Sequence, residues 1–171
     1  MMQDSSIKLR SVVPEDIDLI YKWETSTDAY ERSDDFRLIS RESVELFIEQ
    51  STDADIFIKQ QARFMAYDGN HTVGCVDLFN YDPYNRHADV GIIVDRPFRR
   101  KGYATKMLCL IEEYAKSSVN LHQISCSVGQ DNTASIRLFE KCGYIHCGTL
   151  AQWIWDGKEW IDKHIYQKII Q

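Results

Sequence analysis

The chain lacks several things that would have named a class at once. No apolar run approaches the ~20 residues needed to span a bilayer, so no membrane partner is expected. The opening stretch MMQDSSIKLR has no apolar centre of the kind a secretion signal carries, which points to a cytoplasmic protein. Basic residues do not dominate: 20 Lys and Arg stand against 26 Asp and Glu, for a net charge of -6. That balance argues against a nucleic-acid partner, whose footprint is usually a basic face. An acidic surface can attract a cationic small molecule, but many cytosolic proteins are acidic for solubility alone, and that is the first reading of the charge.

Cysteine is sparse and unpatterned. The five residues Cys75, Cys109, Cys126, Cys142 and Cys147 are an odd number with no Cys-x-x-Cys pair, which fits free thiols in a reducing compartment. Cys142, His146 and Cys147 lie close together, but a structural zinc site takes a second ligand pair, and His122 and His164 are poorly spaced to supply it. No metal is expected. The three prolines make no linker, and there is no repeat or low-complexity tract. With 171 residues and 44% hydrophobic content, residues 1–171 read as one domain.

What is present is an alternation of periods. Ile7 to Val13 alternates apolar and polar residues as a strand does. Pro14 opens a helix running to about Thr25, and Ser40 can cap a second over Arg41 to Gln50. Strands follow at Ala62–Tyr67, Thr72–Asn80 and Ala88–Val94, joined by turns at Asp68-Gly69-Asn70 and Asp82-Pro83-Tyr84-Asn85. A helix over Gly102–Ser117, a strand over Gln123–Val128 and a helix over Thr133–Cys142 come next, the last capped by Asn132 and stopped by Gly143. Tyr144–Trp153 and Trp160–Ile169 close the chain as strands. This order predicts an α+β fold with a mixed, mostly antiparallel central sheet flanked by helices. The polar, aromatic-studded stretch Ser26–Ile39 reads as a loop, and long loops tend to carry specificity.

One strand-to-helix joint has more than a turn and a cap. The segment Val94-Asp-Arg-Pro-Phe-Arg-Arg-Lys-Gly-Tyr-Ala-Thr105 sets Arg99, Arg100 and Lys101 directly before Gly102, with small Ala104 just behind. A helix N-terminus offers unpaired N–H groups and partial positive charge, so this joint is suited to an anion such as a pyrophosphate. No Gly-Lys-Ser/Thr follows, which excludes a P-loop, and Gly-x-Gly-x-x-Gly is absent, which excludes a dinucleotide fingerprint.

Arg99-x-x-Gly102-x-Ala104 after a strand resembles the acyl-CoA signature of the GNAT N-acetyltransferases. The preceding Ala88-Asp89-Val90-Gly91-Ile92-Ile93-Val94-Asp95 and the later Asn132-to-Tyr144 stretch resemble the segments that flank it in that family. The resemblance extends over about Ile7 to Ile169. Within the family the chain is most similar to the spermidine and ribosomal-protein alanine acetyltransferases, with Gly74-x-Val76-Asp77-Leu78 matching the polyamine group's strand.

The resemblance implies acetyl-CoA as co-substrate and direct attack by an amine in a ternary complex. It implies that the backbone of Ile92, Ile93 and Val94 pairs with the pantetheine arm. The N–H groups of Arg100, Lys101, Gly102, Tyr103, Ala104 and Thr105 would hold the pyrophosphate, with Arg99 and Lys141 reaching phosphate and Asn132 bonding the arm. Asp89 stands where relatives carry a glutamate, and Asp77 where the polyamine group carries another; these are the two candidate catalytic carboxylates. Phe139 occupies the place of a tyrosine that donates a proton to the CoA thiolate, and phenylalanine has no hydroxyl to give; it is expected to pack against the cofactor, with Tyr103 and Tyr144 as substitutes by type. The acceptor is read as a polyamine or other small amine, with a peptide N-terminus as the alternative. A non-catalytic acyl-CoA sensor also stays open, as does a scaffold or homodimer built on Trp153, Trp155 and Trp160. Specificity is expected in Ser26–Ile39 and in the hairpin Asp82–Arg86.

Overall fold

The computed structural model describes residues 7–26, 40–51 and 55–171. The elements run β1 (Lys8–Ser11), a 3-10 turn (Pro14–Asp16), α1 (Ile17–Glu24), α2 (Arg41–Ser51) and α3 (Ile56–Lys59). Then come β2 (Ala62–Asp68), β3 (His71–Asp82), β4 (His87–Val94), a 3-10 turn (Arg96–Phe98) and α4 (Tyr103–Ser117). The chain ends with β5 (Gln123–Gly129), α5 (Thr133–Lys141), β6 (Ile145–Trp155) and β7 (Trp160–Ile169). The expected order holds. The single-turn α3, capped by the Asp55 side chain, was not anticipated because one turn has too little periodicity to read.

Local chemistry accounts for the boundaries. Pro14 begins a 3-10 turn rather than the helix itself. Asp16 ends that turn, accepting from the Val13 N–H at 2.9 Å while Arg10 grips its carboxylate. Ser40 Oγ accepts from the Ser43 N–H, capping α2 as its sequence suggests. The β2–β3 hairpin pairs Asp68 with His71 around Gly69, whose φ of 58° favours glycine.

Seven strands form one sheet in the order β1-β2-β3-β4-β5-β7-β6. Every neighbouring pair is antiparallel except β4 and β5. Alternation along the strands splits the core in two. Val76, Leu78, Ala88 and Val90 face α4, where Met107, Leu108 and Ile111 are buried. Met65 and Cys75 turn to the other face, against Ile20 and Trp23 of α1 and Val44 and Ile48 of α2.

The β3–β4 seam is tight. A Cβ on Gly74 would lie 2.1 Å from the Ile93 carbonyl oxygen, so only glycine fits there. Gly74 also follows a register shift against β2, between Ala66 and Tyr67. The three closing tryptophans, Trp153, Trp155 and Trp160, are exposed and lie outside the core.

Candidate active site

The sheet is interrupted at one place. β4 and β5 pair in register only at His87–Gln123, Ala88–Ile124 and Asp89–Ser125. Both strands continue, β4 to Val94 and β5 to Gly129, without further pairing to each other. A wedge therefore opens between two parallel strands, and its apex is the Asp89–Ser125 pair.

Register decides what β4 presents to the wedge. The Asp95 N–H donates to the Val73 carbonyl, so residues 95, 93 and 91 direct their backbone groups to β3. The position of the Ile93 carbonyl against Gly74 agrees. Ile92 and Val94 direct theirs to the wedge. Of the three residues expected to pair with an incoming chain, Ile93 is thus the correction: its backbone is spent on β3, and the parity of the ladder is the reason. The Val94 carbonyl is also occupied, accepting from Arg99 Nε at 2.9 Å. Arg99 therefore folds its Nε back onto the strand end.

The wedge leads to the start of α4. Gly102 has φ of 83° and no side chain to cap the helix. The first intrahelical bond starts at the Lys106 N–H, which donates to the Gly102 carbonyl. The N–H groups of Tyr103, Ala104 and Thr105 precede it and have no intrahelical acceptor. Arg100, a non-glycine residue, sits at φ of 60°, a conformation uncommon outside glycine that Gln60, Asn120 and Gln152 also adopt. A Cβ at Gly102 would meet nothing within 4 Å, so the space over this turn is open. The glycine is needed for its backbone conformation rather than to avoid a contact within the chain. Lys101 lies over the Phe98 ring at 5.5 Å. Open space over Gly102, N–H groups without an intrahelical acceptor and four cationic residues from Arg96 to Lys101 fit the pyrophosphate of an acyl-CoA.

The two candidate carboxylates share the α1/α2 face of the sheet, since Asp77 pairs with Gly91 and Asp89 with Phe79. Their surroundings differ. Asp77 is held by Arg63 through two bonds of 2.7 Å each, in a fork-to-fork arrangement. Arg63 also bonds Glu24 at 2.8 Å and lies over the Phe47 ring at 4.7 Å. Burial opposes the Arg63 charge, but Asp77, with Glu24 behind it, outweighs that and keeps the guanidinium firmly protonated. Asp77, a catalytic candidate from the sequence, thus stands in an ion pair with Arg63. Among the described residues, the partners of Asp89 are neutral. Asn80 Nδ2 donates to its Oδ2 at 2.8 Å, and Ser125 Oγ donates to its Oδ1. Asn80 and Ser125 were missed in the sequence; the only signal for them was their place beside Asp89 once strand register is known.

The remaining expectations fall as follows. Phe139 is only 4% exposed and packs edge-on against Tyr144 at 5.0 Å, so it belongs to the core. Tyr103 donates its hydroxyl to Asp68 at 2.8 Å, which raises its pKa, and burial pushes the Tyr144 hydroxyl up. Both tyrosines hold their protons more tightly than usual. Asn132 accepts from the Ser135 N–H at 3.2 Å and caps α5. Lys141 is exposed at the last turn of α5. The turn at Asp82 is closed by Asp82 Oδ1, which accepts from the Tyr84 and Asn85 N–H groups. Of the loop expected to set specificity, residues 27–39 lie outside the described residues. Among the described residues no cluster of three His, Cys, Asp or Glu side chains could hold a metal. No helix among them is long and apolar enough to cross a membrane.

An antiparallel sheet parted at one parallel pair, with an uncapped glycine-led helix at the mouth, defines an acyl-CoA-dependent transferase. The model for the acetyltransferase (GNAT) domain matches residues 6–145, and the chain belongs to that family of N-acetyltransferases, which use acetyl-CoA as co-substrate. Spermidine N(1)-acetyltransferase of Escherichia coli K12 is 26% identical over 141 residues, covering 81% of this chain and 73% of that protein. An uncharacterized prophage-derived N-acetyltransferase of Bacillus subtilis, YokL, is 27% identical over 150 residues, covering 86% and 80%. The fold of Vibrio cholerae spermidine N-acetyltransferase, crystallised with CoA and spermine, superposes with a TM-score of 0.88 at 21% identity, covering 97% of this chain and 96% of that one.

Proposed function

We propose that this chain acetylates a primary amine of a polyamine, with Asp89 taking the proton that the amine must lose. The observation that carries the reading is the Asp89 carboxylate at the apex of the wedge, the point where the sheet parts and an acyl chain laid along β4 would end. An alkylammonium has a pKa of about 10, so at neutral pH it arrives protonated and cannot attack. A carboxylate at that point both attracts the cation and accepts its proton.

Bound acetyl-CoA supplies an electrophilic carbonyl and a thiol leaving group. The chain's own residues do the rest. Wedge-facing Ile92 offers its backbone groups, and Val94 its N–H, to the pantetheine amides, as an added strand would. The first-turn N–H groups of α4, with Arg100 and Lys101, hold the pyrophosphate. No hydroxyl stands at Phe139, so water returns a proton to the thiol sulfur; a thiol pKa of about 8–9 makes that step undemanding.

The polyamine reading is supported by the Escherichia coli and Vibrio cholerae relatives, named for spermidine, and by the net charge of -6. The five free cysteines suit a cytoplasmic setting. A spermidine N-acetyltransferase of Vibrio cholerae is described as dodecameric, and the exposed Trp153, Trp155 and Trp160 support self-association of this chain as well.

The test is CoA release across spermidine, spermine, alanine-starting peptides, amino sugars and aminoglycosides. Spermidine or spermine should be turned over fastest. Release with alanine-starting peptides alone would move the acceptor to a protein N-terminus. The absence of a hydroxyl at Phe139 favours one other reading, a sensor. Thermal stabilisation by acetyl-CoA without release for any amine would establish it.

A further inference from the structure

We propose that Ser125 and Asn80 are positioning residues that aim the Asp89 carboxylate into the wedge; this rests on reading Asp89 as the proton acceptor. Aspartate has a single methylene, so its oxygens have little reach and their direction matters. Three features fix that direction. Ser125 lies beside Asp89 in the last registered pair of β4 and β5, so its side chain shares the same face and its hydroxyl donates to Oδ1. Asn80 donates to Oδ2 at 2.8 Å. Asn80 does so from φ of 52°, within the register shift between Phe79 and Asp82, where β3 departs from the regular ladder with β4. Asparagine adopts that left-handed conformation more readily than most residues, and here the turn brings its amide to the carboxylate.

The choice of donors separates this carboxylate from its neighbour. Asp77 meets a guanidinium, which takes both of its oxygens. Asp89 meets one hydroxyl and one amide, both neutral. Each carboxylate oxygen has two lone pairs, and one donor per oxygen leaves the other pair for an ammonium proton. The clamp therefore restricts rotation of the carboxylate without supplying a charge that would compete with the substrate's. On transfer the amine N–H bond breaks, an O–H bond forms on Asp89, and the donors from Ser125 and Asn80 stay in place.

The test is steady-state turnover of spermidine at saturating acetyl-CoA, from pH 7 to 9.5, for wild type, Ser125→Ala, Ser125→Thr, Asn80→Ala and Asp89→Ala. Ser125→Ala should lower kcat about 10-fold near pH 7 and Asn80→Ala several-fold, with unfolding temperature and its rise on adding acetyl-CoA unchanged. Both deficits should shrink toward pH 9.5, because an amine with a pKa of about 10 then increasingly arrives unprotonated. Ser125→Thr, which keeps the hydroxyl on a strand-compatible residue, should restore kcat. A deficit constant across pH, or no restoration by threonine, would mark a packing defect and overturn the proposal. A normal kcat in Ser125→Ala beside a crippled Asp89→Ala overturns the clamp alone. A normal kcat in Asp89→Ala, or no CoA release from the wild type with spermidine, overturns the clamp and the functional reading together.

Discussion

Strand β4 has two unlike edges. Toward β3 it is paired from Asp89 to Val94 and packed so closely that Gly74 has no room for a Cβ. Toward β5 it is paired for three residues and then released. A carboxylate stands on each side of this contrast. Asp77 belongs to the closed seam and is locked by Arg63; Asp89 belongs to the opening and is held by neutral groups. On the proposed function, the same residue type on the same face of one sheet is ion-paired in one place and reactive in the other. The difference lies in whether the strand edge beside it is filled and whether its partner carries charge.

The largest effect expected from the open side is on rate. Asp89→Ala should lower turnover by about 100-fold or more, the scale of a lost general base, while unfolding temperature stays near wild type. On the closed side the largest effect is on stability. Gly74→Ala forces a methyl onto the Ile93 carbonyl and should cost about 3 kcal/mol, read as a fall in unfolding temperature of roughly 6–12 °C. A mild Gly74→Ala would show that the seam yields, and the contrast between the edges would weaken.

A smaller effect is expected at the mouth of the wedge. Gly102→Val places a β-branched residue at positive φ and should cost about 1–3 kcal/mol, besides removing most of the stabilisation by acetyl-CoA. For wild type at 100 times Kd that stabilisation is about 2.7 kcal/mol. A Gly102→Val chain that remains folded and keeps the full thermal shift would relocate the pyrophosphate. The smallest effect is expected at Phe139. Phe139→Tyr should change turnover by less than about 3-fold, since expulsion of a thiol with a pKa near 8–9 does not limit the rate. A several-fold faster Phe139→Tyr would show that protonation of the sulfur, rather than loss of the amine proton, is the harder step.

The contrast explains what could be read from the sequence. Strand and helix order was legible because each element from Ala62 to Ile169 keeps its own period and is bounded by a turn or cap, such as Asp68-Gly69-Asn70 or Asn132. The anion turn was legible because Gly102 and its basic neighbours lie within one short segment. What depends on register was not. Whether Ile93 faces β3 or the wedge is decided by the Asp95–Val73 bond, which no local pattern announces. Arg63 lies 14 residues before Asp77 and becomes its partner only when β2 pairs with β3. Ser125 is 36 residues from Asp89 and meets it only across the parallel pair. Resemblance to relatives matched both aspartates to acidic positions, and only the partners told them apart.

That division of labour is best tested by making one change in both places. Asp77→Asn and Asp89→Asn keep shape and remove charge, and each variant should be measured for turnover of spermidine and for unfolding temperature. Asp77→Asn leaves the Arg63 guanidinium, itself 14% exposed, with one carboxylate fewer, and should lose about 3 kcal/mol of stability while retaining turnover within a few-fold. Asp89→Asn should keep its stability and lose about 100-fold in turnover. An Asp77→Asn chain of normal stability that no longer acetylates, beside an Asp89→Asn chain of normal rate, would contradict the account.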